Sequence, residues 1–192
     1  MDVMRLKNEF YQCIREALVE FSKTENNRDV YVMSLDCDSS VGGVYLRYNN
    51  RARFQEHLSE YEKYFKEYGT SWEVYGLHGS EYQPGEFAFI EYNETKLVKH
   101  FLSSYYYHSV GDYFGDGEPI EDIAEDYEDI FWSMVEETIN KLKNEIKEIG
   151  IHAEKDFIFF YCDHDQSHEE LDEMICKTVD KKLMEELINK SA

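Results

Sequence analysis

Apolar residues recur at steps of three and four from the start of the chain. Val3, Leu6, Phe10, Ile14, Ala17, Leu18 and Phe21 form one stripe, which predicts an amphipathic helix over residues 2–23. The polar run SKTENNRD ends it. Two β-branched and aromatic segments follow, DVYVMSLDCD and GGVYLRYN, joined by CDSSVGG, whose serines and glycines suit a turn, so a hairpin is expected. Phe54, Leu58, Tyr61, Phe65 and Tyr68 then restore the helical period over 51–68, with Gly69 in the C-cap position.

Beyond this point the pattern weakens. SWEVYGL and GEFAFIEY read as two short strands around a loop containing Pro84 and Gly85, with Gly76 or Gly79 marking a bulge. A helix is expected over 94–107, where Tyr105, Tyr106 and Tyr107 suit a helix end or a strand, and HSVGDYFGDGEP reads as a loop. Periodicity returns with Ile123, Tyr127, Ile130, Met134, Ile139, Leu142, Ile146 and Ile149. These positions predict one long helix, or two with a kink, over 120–149, stopped by Gly150. Its acids come first and Lys141, Lys143 and Lys147 last, the order that complements a helix dipole. DFIFFYC predicts an interior strand covered on both faces, and Leu171, Ile175, Val179, Leu183 and Leu187 predict a final helix over 168–189. The order α-β-β-α-β-β-α-α-β-α implies a single α+β domain over 1–192, a mixed or antiparallel sheet covered by amphipathic helices.

Composition agrees with a packed globule. The chain is 42% hydrophobic and 16% aromatic, which excludes disorder despite 32% charged residues. Cys13, Cys37, Cys162 and Cys176 are widely spaced, with no CxxC, and predict reduced thiols and a cytoplasmic protein. The start, MDVMRLKNEF, has no basic segment leading into an apolar one. No apolar run approaches the roughly 18 residues of a membrane span, so no membrane association is expected.

Charge changes the picture more. The net charge is −21, and between Ser109 and Glu137 there are eleven acidic residues and no Lys or Arg. Such a field repels nucleic acid and anionic membrane and draws cationic partners; it also serves solubility alone.

Candidate chemistry concentrates in FYCDHDQSHEELDE. Asp163 and Asp165 fall on one face of an extended segment, with His168 on the next element, a set able to hold Zn, Mn or Mg. The competing explanation is a capping box, Ser167-x-x-Glu170, followed by acids that favour a helix N-terminus. It accounts for most of the stretch, and the spacing fits no tight ligand template. Cys162 could pair with His164 or His168 as a nucleophile, but a cysteine on a buried strand is usually inert. Asp112, Asp116 and Gly117 miss the calcium-loop register, and the other histidines are isolated. No nucleotide-binding, hydrolase or zinc-protease motif occurs. Trp72, Tyr75, Tyr82, Phe87 and Tyr92 form an aromatic-dense middle suited to core packing, or to an anchoring face if exposed beside the acids.

The segment order is itself a signature. An N-terminal helix, DVYVMSLDCD paired with GGVYLRYNN and leading into a helix, then TSWEVYGL, and last a long helix, Gly150 and FIFFYCDHD before a closing helix, resembles the bacterial domain-of-unknown-function 4303 family (DUF4303) across nearly the whole chain. The resemblance implies a small cytoplasmic α+β protein without an assigned catalytic residue. Some members are similar in gene context to immunity proteins of toxin systems.

The expectation is therefore a non-enzymatic acidic protein that binds a basic protein partner and needs no cofactor. Asp112, Asp116, Glu118, Glu121, Asp122, Glu125, Asp126 and Asp129 would supply charge, with Tyr113, Phe114 and Tyr127 as anchors. The alternatives are a metal-dependent enzyme using Asp163, Asp165 and His168, and an inhibitor that mimics nucleic acid.

Overall fold

The computed structural model describes residues 3–38, 43–69, 73–87, 121–163 and 166–189. Within them the protein is α+β, with a three-stranded mixed sheet and five α-helices. Helix α1 (Val3–Phe21) precedes the hairpin β1 (Val30–Asp38) and β2 (Gly43–Asn50), and α2 (Arg51–Tyr68) follows directly. Helix α3 (Glu121–Ile149) is continuous, so the long periodic stretch is one helix. Strand β3 (Ala153–Asp163) and helices α4 (His168–Thr178) and α5 (Lys181–Asn189) complete the chain.

Strand order is β2-β1-β3, with β1 antiparallel to β2 and parallel to β3. Each face carries its own apolar cluster. Met33, Leu35, Val44, Leu46, Phe159 and Tyr161 pack with α1 and α3, whereas Val32, Ile158, Phe160 and Cys162 pack with α2, α4, α5 and residues 77–87. Period-two alternation assigns the faces except at Tyr31. There the β1–β2 register slips between Val30 and Val32, and Tyr31 and Val32 consequently join the same cluster. Strand β3 is covered on both faces, as its apolar run requires, although in the described sheet the middle position belongs to β1.

Helices α1 and α3 run in the same direction along the first face. Lys7 Nζ meets Glu137 Oε1 at 2.6 Å, while one turn and two turns further on Tyr11 Oη and Arg15 Nε both donate to Glu145, at 2.7 and 2.9 Å. At α2 the Asn50 side chain accepts the Arg53 N–H (2.9 Å), and Gly69 closes the helix in the left-handed conformation (φ 64°) as its position in the sequence suggested.

Two expectations are corrected. Residues 73–77, the described part of SWEVYGL, form no strand: 73–74 are irregular, 75–76 a bend and Leu77 part of a turn. The Glu81 carboxylate takes the Gly76 N–H at 2.9 Å, and the chain folds back so closely at Gly79 that a Cβ there would lie 2.5 Å from the Tyr75 carbonyl oxygen. Pro84–Glu86 is a single 3-10 turn. The remainder of GEFAFIEY, the helix expected over 94–107 and the loop after it lie outside the described residues. The final helix is two helices. Val179 is extended, and the Asp180 carboxylate accepts the N–H groups of Lys182 and Leu183 at 3.0 and 3.3 Å, which starts a new helix. Restarting makes Met184 and Leu187 the buried positions, with Leu183 partly buried against the same cluster.

Candidate functional site at the carboxyl ends of β1 and β3

Because β1 and β3 are parallel, their carboxyl ends finish side by side, with Asp36 opposite Cys162 and Cys37 opposite Asp163. Alternation puts Ser34 and Asp36 on the same face as Val32, and that face lies under α4. Arg47 of β2, opposite Ser34 in register, reaches Asp36 across the same face. Arg47 Nε lies 2.5 Å from Asp36 Oδ2, and the two side chains are only 12% and 6% exposed. Nε is not aligned as a hydrogen-bond donor, so the attraction is that of two opposite charges.

Over this pair lies a cavity of about 340 Å³. Gln83, Pro84 and Gly85 form its roof, and Asp163, Gln166, Ser167 and Leu171 its rim. The roof is held by Arg51, whose guanidinium pairs with Glu81 and with Glu154 (2.8 Å) and lies 4.0 Å over the Tyr31 ring. Tyr31 Oη in turn donates to the Glu81 carbonyl at 2.7 Å. His78 Nε2 against Asp172 Oδ1 (2.9 Å) and the Leu77 N–H on the Leu187 carbonyl tie the same loop to α4 and α5.

The rim is the stretch that looked most like a metal site. Ser167 and Glu170 form the full capping box: Ser167 Oγ accepts the Glu170 N–H, and Glu170 Oε2 accepts the Ser167 N–H at 2.7 Å. That backbone bond, with the Ser167 hydroxyl, holds the Glu170 carboxyl below the usual carboxylate range. Gln166 Oε1 accepts the Asp163 N–H at 2.9 Å. Asp163 is half-buried at the end of β3, His168 opens α4, and His164 and Asp165 lie outside the described residues. Among the described residues no three His, Cys, Asp or Glu side chains are placed to hold a metal ion. Burial, followed by the neighbouring Asp36, pushes the Cys162 thiol well above its ordinary value, and burial does the same to Cys37, so neither is poised as a thiolate.

Of the acidic residues expected to bind a partner, Asp112, Asp116 and Glu118, with Tyr113 and Phe114, lie outside the described residues. Glu121, Asp122, Glu125, Asp126 and Tyr127 occupy the first two turns of α3, and Asp129 is exposed on the third. The end of the acidic run has a basic neighbour in space, since Lys7 pairs with Glu137. In the aromatic middle, Tyr82 and Phe87 are core residues and Tyr75 is exposed, while Trp72 and Tyr92 lie outside the described residues.

The sequence reading missed Asp36 and Arg47. The available signal was parity, because Ser34 and Asp36 share a face with Val32 in a strand that is otherwise apolar. Comparison with protein-family models, with curated proteins and with solved structures gives no match for this chain.

Proposed function

We propose that the chain is a non-enzymatic acidic binding protein that captures a basic protein partner, in the manner of an immunity protein neutralising a toxin. One observation carries this reading: eleven acids and no Lys or Arg between Ser109 and Glu137, in a chain of net charge −21. A one-sign run concentrates potential, speeds encounter with a cationic surface and offers charge-assisted hydrogen bonds on contact. On α3 the helical repeat sets Asp122, Asp126 and Asp129 along one stripe, with Asp129 exposed. Tyr113, Phe114 and Tyr127 are the aromatic anchors of the same reading, and the resemblance to the domain-of-unknown-function 4303 family supports it. Cytoplasmic placement is part of the proposal. It is supported by four free thiols, and among the described residues no helix is long and apolar enough to cross a membrane.

The test begins with capture of the partner and elution in a salt gradient, followed by association kinetics with the purified partner. Reversing Asp112, Asp116, Asp122 and Asp126 to lysine should slow association by about tenfold or more at low salt, with the difference shrinking as salt is added. Unchanged association rate and affinity in the reversed variant would sink the proposal.

A further inference from the structure

Among the described residues, the buried side-chain atoms that make no hydrogen bond are Ser34 Oγ, Arg47 Nε, Asn49 Nδ2, Tyr82 Oη and Gln83 Nε2. Strand pairing puts Ser34, Arg47 and Asn49 on the face of Val32, and Tyr82 and Gln83 belong to the segment packed over that face. None of them lies under α1 and α3. Every one can donate a hydrogen bond and none is an acceptor only, so what this face lacks is an acceptor. Arg47 and Gln83 line the cavity at the carboxyl ends of β1 and β3. Such strand ends are where open sheets hold small molecules, and a volume of about 340 Å³ is at the lower end for a ligand site.

The carboxylates around the cavity are already answered. Asp36 has Arg47 at 2.5 Å and a further interaction besides, and Asp163, opposite Cys37 in register, falls on the other face of the sheet. Glu170 is folded back on the Ser167 N–H and hydroxyl. A cation would therefore find no acceptor in want of it and would leave the donors unmet. Asp36 is met through Arg47 Nε, and the terminal nitrogens of Arg47 make no hydrogen bond or ion pair among the described residues. We infer that the cavity binds a small monocarboxylate with an apolar body, its carboxylate on the Arg47 terminal nitrogens and the Gln83 amide, its body against Pro84 and Leu171. A planar carboxylate matches the guanidinium fork bidentately, and charge-assisted bonds of this kind are about twice as strong as those to a neutral carbonyl. Phosphate would bring more negative charge toward Asp36 with the same single guanidinium to meet it.

The experiment follows the Gln83 side-chain amide and Arg47 guanidinium resonances of isotope-labelled protein. The probes are n-butyrate and benzoate, each compared with its neutral amide, with n-butylammonium and with inorganic phosphate at matched ionic strength. At least one carboxylate should shift both signals saturably, with its amide about tenfold weaker or more, and n-butylammonium and phosphate should not saturate. Gln83→Leu, which leaves the ion pair intact, should weaken carboxylate binding about tenfold, the loss expected for one hydrogen bond to a charged group. Arg47→Lys keeps a cation beside Asp36 but removes the fork, and should abolish saturation. If that variant fails to fold, Gln83→Leu alone decides. No saturation by either carboxylate, equal saturation by an amide, n-butylammonium or phosphate, or an unchanged response in Gln83→Leu overturns the inference.

Discussion

At the scale of single residues, the largest effects belong to polar side chains that are buried and fully used. Asn27, 5% exposed, donates through Nδ2 to the carbonyls of Ser22 and Gly150 at 2.8 Å each and accepts the His152 N–H at 2.8 Å. One amide therefore joins the end of α1 to the turn between α3 and β3. Asn27→Ala leaves three backbone groups without a partner and should lower stability by about 2–4 kcal/mol, read as a reduced urea midpoint at unchanged m-value. The exposed pair Lys182–Glu186 supplies the contrast, because Lys182→Ala should shift stability by less than about 0.5 kcal/mol. Asn27 sits in SKTENNRD, where its composition announces a loop and nothing announces the bonds, which depend on a chain segment more than 120 positions away.

At the scale of elements, the caps and the α1–α3 contact make separate predictions. Ser167→Ala should cost about 1 kcal/mol through loss of the capping box, and Asp180→Ala a similar amount at the start of α5. The α1–α3 contact carries a pH dependence. Hydrogen bonds from Tyr11 and then Arg15 hold the Glu145 carboxyl below its ordinary value of 4.5, and the Lys7 bond does the same for Glu137. A depressed carboxylate contributes stability above its unfolded value and loses it as pH falls through the folded one, so the contact should weaken below about 4.5. Glu145→Gln should flatten the wild-type slope of stability against pH in that range, and an identical slope would mean that Glu145 is not the group responsible.

The elements that the sequence announced are those with a sustained period, namely α1, α2, α3, β3 and the hairpin. Residues 73–77 misled because the β-branched Val74 beside the aromatic Tyr75 imitates a strand, whereas a side-chain carboxylate and the tight turn at Gly79 decide the backbone. The split after Thr178 was hidden because Val179 fits the helical stripe as well as it fits the extended connection between two helices. The candidate site was legible on one side only. FYCDHDQSHEELDE pointed to its rim, but Asp36 and Arg47 become a floor only when β1 and β3 pair in parallel and α4 covers that face, which no local pattern states.

At the scale of the whole molecule, two apolar layers close over a thin sheet, and fully buried tyrosines sit on both sides of it. Tyr161 belongs to the cluster under α1 and α3, whereas Tyr31 and Tyr82 belong to the opposite cluster. Burial is the first cause that raises all three hydroxyls far above the ordinary value of 10, with Glu81 adding to the shift at Tyr31 and Tyr82 and Glu136 at Tyr161. A group whose folded value is raised contributes stability that is fully present below its unfolded value and lost as pH climbs toward the folded one. In alkali the folded state must therefore hold three phenols neutral that the unfolded chain would ionise, while a net charge of −21 adds self-repulsion to each further negative charge. The expected outcome is a cooperative base transition beginning above about pH 10, in which the phenolate absorbance of the buried tyrosines rises together with loss of near-ultraviolet circular dichroism. Tyr161→Phe removes one of the three groups and should move the transition to higher pH. If all the phenols ionised gradually while the dichroism persisted, the closed double-layer packing would have to be abandoned.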